Sequence, residues 1–142
     1  MLAWLFRHFP ALRHLYGLPQ LLDTLLLAYT VLFHRECALA LQQIEKTLLS
    51  WPGVSAKPHR FGGVEFCLGR REIGHLHSHG LLDIPFTKQL RDDALEAGQA
   101  QPHHIFPHSA WVSVWIRTDK DFPNALKLLR RNYERWQSAD ML

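Results

Sequence analysis

Val64-Glu65-Phe66-Cys67-Leu68, Gly69-Arg70-Arg71, Glu72-Ile73-Gly74-His75-Leu76-His77-Ser78-His79 is the stretch on which the fold turns. Val64, Phe66 and Leu68 alternate with Glu65 and Cys67, the period of a half-buried strand. Gly69-Arg70-Arg71 turns the chain, and Glu72 to His79 runs back, so the pair reads as a hairpin with a short loop. A hairpin commits the chain to an antiparallel sheet, and the neighbouring segments extend it. After Gly80, Leu82, Ile84 and Phe86 alternate again. Upstream of the Gly62-Gly63 turn, Val54 to Phe61 reads as an irregular edge strand, because Pro58 has no N–H for a central ladder. Downstream, Val112, Val114 and Ile116 alternate with Trp111, Ser113 and Trp115.

The helices follow from the same reading. Leu26, Thr30, Phe33, Cys37, Leu41, Ile44, Leu48 and Trp51 are spaced alternately by four and three, so one long helix, straight or bent, fits Leu21 to Ser50. Trp51-Pro52-Gly53 ends it. Thr87 is a suitable N-cap for Lys88 to Ala97, with Leu90, Ala94 and Leu95 inward and Gly98 as the stop. A last helix, Phe122 to Gln137, starts after Asp119 and Asp121 and carries Pro123 in its first turn. Its apolar seam is Phe122, Leu126, Leu129, Tyr133 and Trp136. The expected fold is α+β: an antiparallel sheet of four to five strands packed against the long N-terminal helix and the C-terminal helix. We divide the chain into an apolar helical segment, 1–36, and an α+β domain, 37–142.

Composition sets bounds on function. The 142 residues are one domain's worth, and 47% hydrophobic with 20% charged is the balance of a globular core rather than of a disordered chain. The net charge is +3 with histidines neutral and +13 with all ten protonated, so it depends on imidazole environments near pH 6. Cys37 and Cys67 form no disulfide framework and no paired metal motif, and we expect thiols in a reducing, cytoplasmic setting. Within 1–36, Asp23 is the only charge from Gln20 to Phe33. Pro19, Gln20 and Asp23 argue against a true span. Packing or self-association of this helix is the preferred reading, ahead of docking on a membrane surface or partner.

Two histidine clusters stand out, and six of the ten histidines sit in them: His75, His77 and His79, with Asp83 four residues on, and His103-His104 with His108-Ser109. Alternate side chains on a strand share a face about 6.6–7 Å apart, so His75-x-His77 is a way to offer two nitrogens to one metal. A third ligand is expected from His79, Asp83 or the His103-His104 loop. Zinc, iron, copper and nickel all suit imidazole, so a divalent transition metal is the candidate cofactor. The competing reading is a sheet face of histidines that hydrogen-bond to one another, to Asp83 or to water. Catalytic candidates are His75, His77, His103 and His104, since imidazole titrates near neutrality. Metal candidates are His75, His77 and His104. Asp83, Ser109 and Trp111 are expected to line a small-molecule site. Ser109 lacks a nucleophile turn and fits a capping residue better. Lys127, Arg130, Arg131 and Arg135 give the last helix a basic flank, but no nucleic-acid motif accompanies it, and a solvated face is preferred.

Glu72-Ile73-Gly74-His75-Leu76-His77, Asp83-Ile84-Pro85-Phe86, Gly98-Gln99-Ala100-Gln101-Pro102-His103-His104, Pro107, Ser109, Trp111, Leu129 and Asn132-Tyr133-Glu134 together resemble the luciferase-domain family of short bacterial and fungal α+β proteins. The resemblance covers about residues 51–136 and leaves out 1–36. The chain departs from the pattern at Ala110, where the family places glycine between the serine and the tryptophan. The resemblance implies that His75, His77, His103 and His104 are the positions of interest. The order of elements is also similar to frataxin-like and double-wing folds, a likeness of architecture that assigns no function. No Gly-rich dinucleotide turn is present. The expectation is a histidine-lined cleft for a small ligand or metal, with the reaction unassigned. The alternative is an interaction module docking through 1–36 beside a structural histidine cluster.

Overall fold

The computed structural model describes residues 17–140. Residues 1–16 of the apolar segment lie outside the described residues. The elements are α1 (Leu18–Phe33), α2 (Arg35–Leu49), β1 (Val54–Pro58), β2 (Val64–Leu68), β3 (Arg71–Leu76), β4 (Leu81–Pro85), α3 (Lys88–Glu96), β5 (Gln101–Pro102), β6 (Trp111–Trp115) and α4 (Phe122–Asp140), with a 3-10 turn at Asp119–Asp121. The strands form one sheet in the order β1-β2-β3-β4-β6-β5. Every pairing is antiparallel, as the hairpin reading requires. The sixth strand is the two-residue β5, too short to carry a sequence signal. Pro58 does sit on the edge strand, opposite Val64.

The expected long helix is two helices. They are bent by 120° at His34, where φ is −134° and ψ is 57°. No glycine or proline marks the break. What holds α1 out of line is its own contacts: Gln20 donates to the carbonyls of His59 and Arg60 at 3.2 and 3.3 Å. Asp23 accepts from the backbone N–H and the hydroxyl of Ser78 at 3.2 and 2.6 Å. Only α2, on the C-terminal side of the bend, joins the main core.

That core lies between one face of the sheet and the helices α2 and α4. Ile44, Leu48, Leu128, Leu129 and Tyr133 meet Phe66, Leu82, Ile84, Val112 and Ile116, all essentially buried. Thr87 caps α3 by accepting from the N–H of Leu90, as its sequence context predicts. Gly74 is needed where the sheet meets α4. A Cβ there would stand 2.9 Å from the carbonyl oxygen of Asp83 and 3.1 Å from Leu129.

The hairpin contains a bulge that the sequence did not announce. The β2–β3 register runs Phe66↔Gly74 and then Cys67↔Glu72, skipping Ile73. Helix α4 satisfies the carbonyls this exposes: Asn132 donates to Ile73 at 2.8 Å, and the Trp136 indole donates to Glu72 at 2.8 Å. A buried carbonyl left without a donor costs about 1–3 kcal/mol, so Asn132, fully buried itself, is a structural requirement of the bulge. The bulge puts Ile73 into the core while Glu72 and His75 both reach the opposite face.

Candidate functional site

The face of the sheet away from α2 and α4 carries a second, polar interior. His75 pairs with Asp83 across β3–β4, and Asp83 pairs with Ser113 across β4–β6. Opposed residues share a face, so the three line up along the middle of the sheet. Loops close over them. His59 comes from the β1–β2 turn, and His103 and His104 from the loop before β6. Asp83 is 0% exposed, and His59, His75 and His103 are buried.

Asp83 is the centre. Its Oδ1 accepts from the Ser113 hydroxyl and faces His104 Nδ1 at 3.6 Å. Its Oδ2 faces the Nε2 atoms of His75, His77 and His103 at 3.4, 3.6 and 3.7 Å. The contacts at 3.6 and 3.7 Å are too long for hydrogen bonds and the one at 3.4 Å is not formed as one, so Oδ2 is buried with no hydrogen-bond partner among the described residues. Glu72 takes the other side of His75, 2.6 Å from Nδ1. His59 stacks on the His75 ring at 3.8 Å with 11° between planes. Trp111 stands against His75 and His103, with centroids 5.5 and 5.7 Å away.

The ring nitrogens are not equivalent. His103 Nδ1 accepts from the backbone N–H groups of Ile105 and Phe106, each at 3.1 Å. That leaves its proton on Nε2, pointing toward Asp83, and makes His103 a donor rather than a free ligand. His104 Nδ1 meets the Ser113 hydroxyl at 3.4 Å, and the same oxygen receives the His104 backbone N–H at 3.3 Å. Ser113 thereby links His104 to Asp83.

Charge is distributed unevenly through the cluster. Burial raises the Asp83 carboxyl, but its contacts with His104, His75, His77 and Ser113 outweigh that and hold it well below the usual carboxylate range. His75 is driven down by burial and more strongly up by Asp83 and Glu72, ending at about 9. Burial lowers His59 to about 3, helped by His75 and His77. Burial likewise lowers His103 to about 4, with the Asp83 charge opposing. Near neutrality the buried carboxylate therefore faces the His75 imidazolium, while His59 and His103 are held neutral beside it.

Three groups have ligand atoms mutually within 4.8 Å: His75, His77 and Asp83; Asp83, His103 and His104; His59, Glu72 and His75. The structure thus brings His75, His77, Asp83, His103, His104 and Trp111 together, with His104 in the group of Asp83 and His103 rather than in that of His75 and His77, although its ring is 6.5 Å from that of His77. His79 lies between His77 and Trp115, with centroids 5.6 and 5.5 Å away, and burial lowers it to about 4. His108 is exposed on its loop. Ser109 is occupied by the turn: its hydroxyl donates to the Phe106 carbonyl at 2.7 Å and accepts from the Trp111 N–H at 3.3 Å. Ala110 needs no glycine, since no described non-glycine residue has a positive φ. Cys67 donates to Glu65 at 3.2 Å, and burial helps push its thiol up to about 11.

Sequence reasoning did not single out His59 or Ser113. His59 follows an edge strand in a loop, and no periodicity points to it. Ser113 did carry a signal, as the one small polar residue between two tryptophans on the face opposite Val112 and Val114.

A family model described as Luciferase domain matches residues 70–132, which contain every residue of the cluster except His59. No curated protein and no solved structure is significantly similar to the chain.

Proposed function

We propose that this chain, whose residues 70–132 match the luciferase-domain family model, holds a divalent transition metal through His75, His77 and Asp83. The observation that carries the reading is the buried Asp83 Oδ2, without a hydrogen-bond partner among the described residues and facing the two Nε2 atoms at 3.4 and 3.6 Å. In a tetrahedral site with bonds near 2.0–2.1 Å, ligand atoms stand about 3.3–3.4 Å apart, so these separations suit a shared ion better than a hydrogen bond.

The surroundings support the same reading. Glu72 accepts the Nδ1 proton of His75, which frees Nε2 and fixes the ring, as carboxylates commonly do behind metal-bound histidines. His103 donates toward Asp83, and Ser113 holds its other oxygen, so the carboxylate is oriented from both sides. Two imidazoles and one carboxylate form the facial set that suits iron(II), and zinc accepts the same donors. Such an ion supplies Lewis acidity or redox chemistry. The chain's own part is to orient the ligands, exclude water with Trp111 and the His59 loop, and keep His104 beside the site as an acid–base group. A small-molecule ligand is the expected substrate class.

The test is elemental analysis of the purified, untagged protein after growth with zinc and iron supplied. Asp83→Asn and the His75→Ala/His77→Ala double variant are measured beside it. We expect close to one equivalent of metal in the parent and none in either variant. Metal absent from all three would leave a metal-free histidine cleft and refute the proposal.

A further inference from the structure

α1 is apolar on its outward side. Leu21, Leu25, Leu27, Tyr29, Val31, Leu32 and Phe33 are all exposed, Leu25 at 60%, Leu32 at 73% and Phe33 at 68%. At 100° per residue they sweep roughly 240° of the helix. Pro19, Asp23 and Thr30, the buried positions, occupy the remaining arc. Asp23 is the only charged residue in α1, and its carboxylate is turned inward onto Ser78. The Thr24 hydroxyl is satisfied by the Gln20 carbonyl of its own helix, at 2.8 Å. The outward face therefore has neither a formal charge nor an unsatisfied hydroxyl at Thr24.

In the sequence around it cations outnumber carboxylates. From Met1 to Glu36, apart from Asp23, the charges are Arg7, Arg13 and Arg35 against the one carboxylate of Glu36. Nearby loops and strands present cation–aromatic pairs: Arg60 lies 4.4 Å from the Phe61 ring and Arg117 lies 4.0 Å from Trp115. A helix of 16 residues is about 24 Å long, short of the hydrocarbon core, and no single described helix is long and apolar enough to cross a membrane. An apolar arc wider than half the circumference exceeds the narrow seam that a helical partner covers. Embedding in a lipid headgroup layer covers it whole, and flanking cations add attraction to anionic lipid.

We infer that α1 docks flat on a membrane surface containing anionic lipid. Because Gln20 and Asp23 tie α1 to the His59 loop and to Ser78, docking brings the histidine cleft to the lipid boundary.

Flotation of the full chain with vesicles tests this, using phosphatidylcholine with and without phosphatidylglycerol, beside a Leu25→Glu/Leu32→Glu variant. The expected result is flotation with the anionic vesicles, weakened about tenfold or more in the variant, with melting temperature and metal content unchanged. Phe33→Ser is the second variant should the double one unfold. A parent that stays at the bottom of the gradient, or variants that float as well as the parent, overturns the inference. So does a dimer that the same substitutions split without any flotation, since a second copy then covers the face. Metal content is read separately, so failure here leaves the metal proposal standing.

Discussion

At the scale of single residues, the cluster is a balance between one buried carboxylate and the rings around it. His75 has a carboxylate on each nitrogen, which is why it rises to about 9 despite burial. A group whose folded pKa is raised stabilises the fold below its unfolded value, and that stability is lost as pH climbs through the folded one. His59, His79 and His103 behave oppositely. They are lowered to about 3, 4 and 4, so below about pH 6.5 the unfolded chain takes up protons that the folded chain refuses. For the metal-free protein we expect thermal stability to be greatest near pH 7, because the His75 contribution is already being lost between its unfolded and folded pKa values. It should fall on the acid side from about 6.5 toward 4, and on the alkaline side through about 9. Thermal melts across pH, repeated on Glu72→Gln, check the assignment. Removing one of the two carboxylates should flatten the alkaline decline and leave the acid side in place.

At the scale of elements, the site depends on the bulge between β2 and β3, and the bulge depends on α4. Asn132 and Trp136 reach the carbonyls of Ile73 and Glu72, two and three residues from His75. Arg135 of the same helix donates to the Pro85 carbonyl at the end of β4, at 2.9 Å. The basic flank of α4 is largely engaged in such contacts: Arg130 lies 3.8 Å from the Trp51 ring, and Arg131 meets Asp93 at 3.4 Å. Replacing Asn132 with alanine should destabilise the fold by about 1–3 kcal/mol, measured by urea denaturation with the m-value unchanged. If an alternative donor fills the gap, the loss will be well under 1 kcal/mol, and Asn132 is then not the support of the bulge.

At the scale of the whole molecule, one sheet separates two interiors of opposite character. The apolar one, between the sheet and α2 with α4, is enough to hold the domain together. The polar one packs charged and neutral imidazoles around Asp83 and leaves its Oδ2 without a hydrogen bond among the described residues, so it gains most from a bound ion. Metal that binds only the folded state at about a hundred times its dissociation constant stabilises by about 2.7 kcal/mol, raising the melting temperature of a domain this size by roughly 5–10 °C. Zinc or iron(II) added to chelator-treated protein should produce that shift. Asp83→Asn should show none. An equal shift in the variant would mean that the ion sits elsewhere, for example on the exposed histidines.

Alternation along Val64–His79 and Trp111–Trp115, the Thr87 cap and the seam of the last helix were legible in the chain, because each is a local periodicity that backbone geometry imposes on side chains. The same alternation was enough to put His75 and His77 on one face, and the loop motif marked His103 and His104. The elbow at His34, the skipped Ile73 and the choice of Asp83 as the centre were not legible. Each is decided by partners distant in the chain: Ser78 and the His59 carbonyl for α1, Asn132 and Trp136 for the bulge, Ser113 and four imidazoles for Asp83. Sequence determined which residues could share a face, through local backbone period. Tertiary structure decided which were desolvated together, because burial and the contacts between distant strands and loops exist only once the sheet has closed.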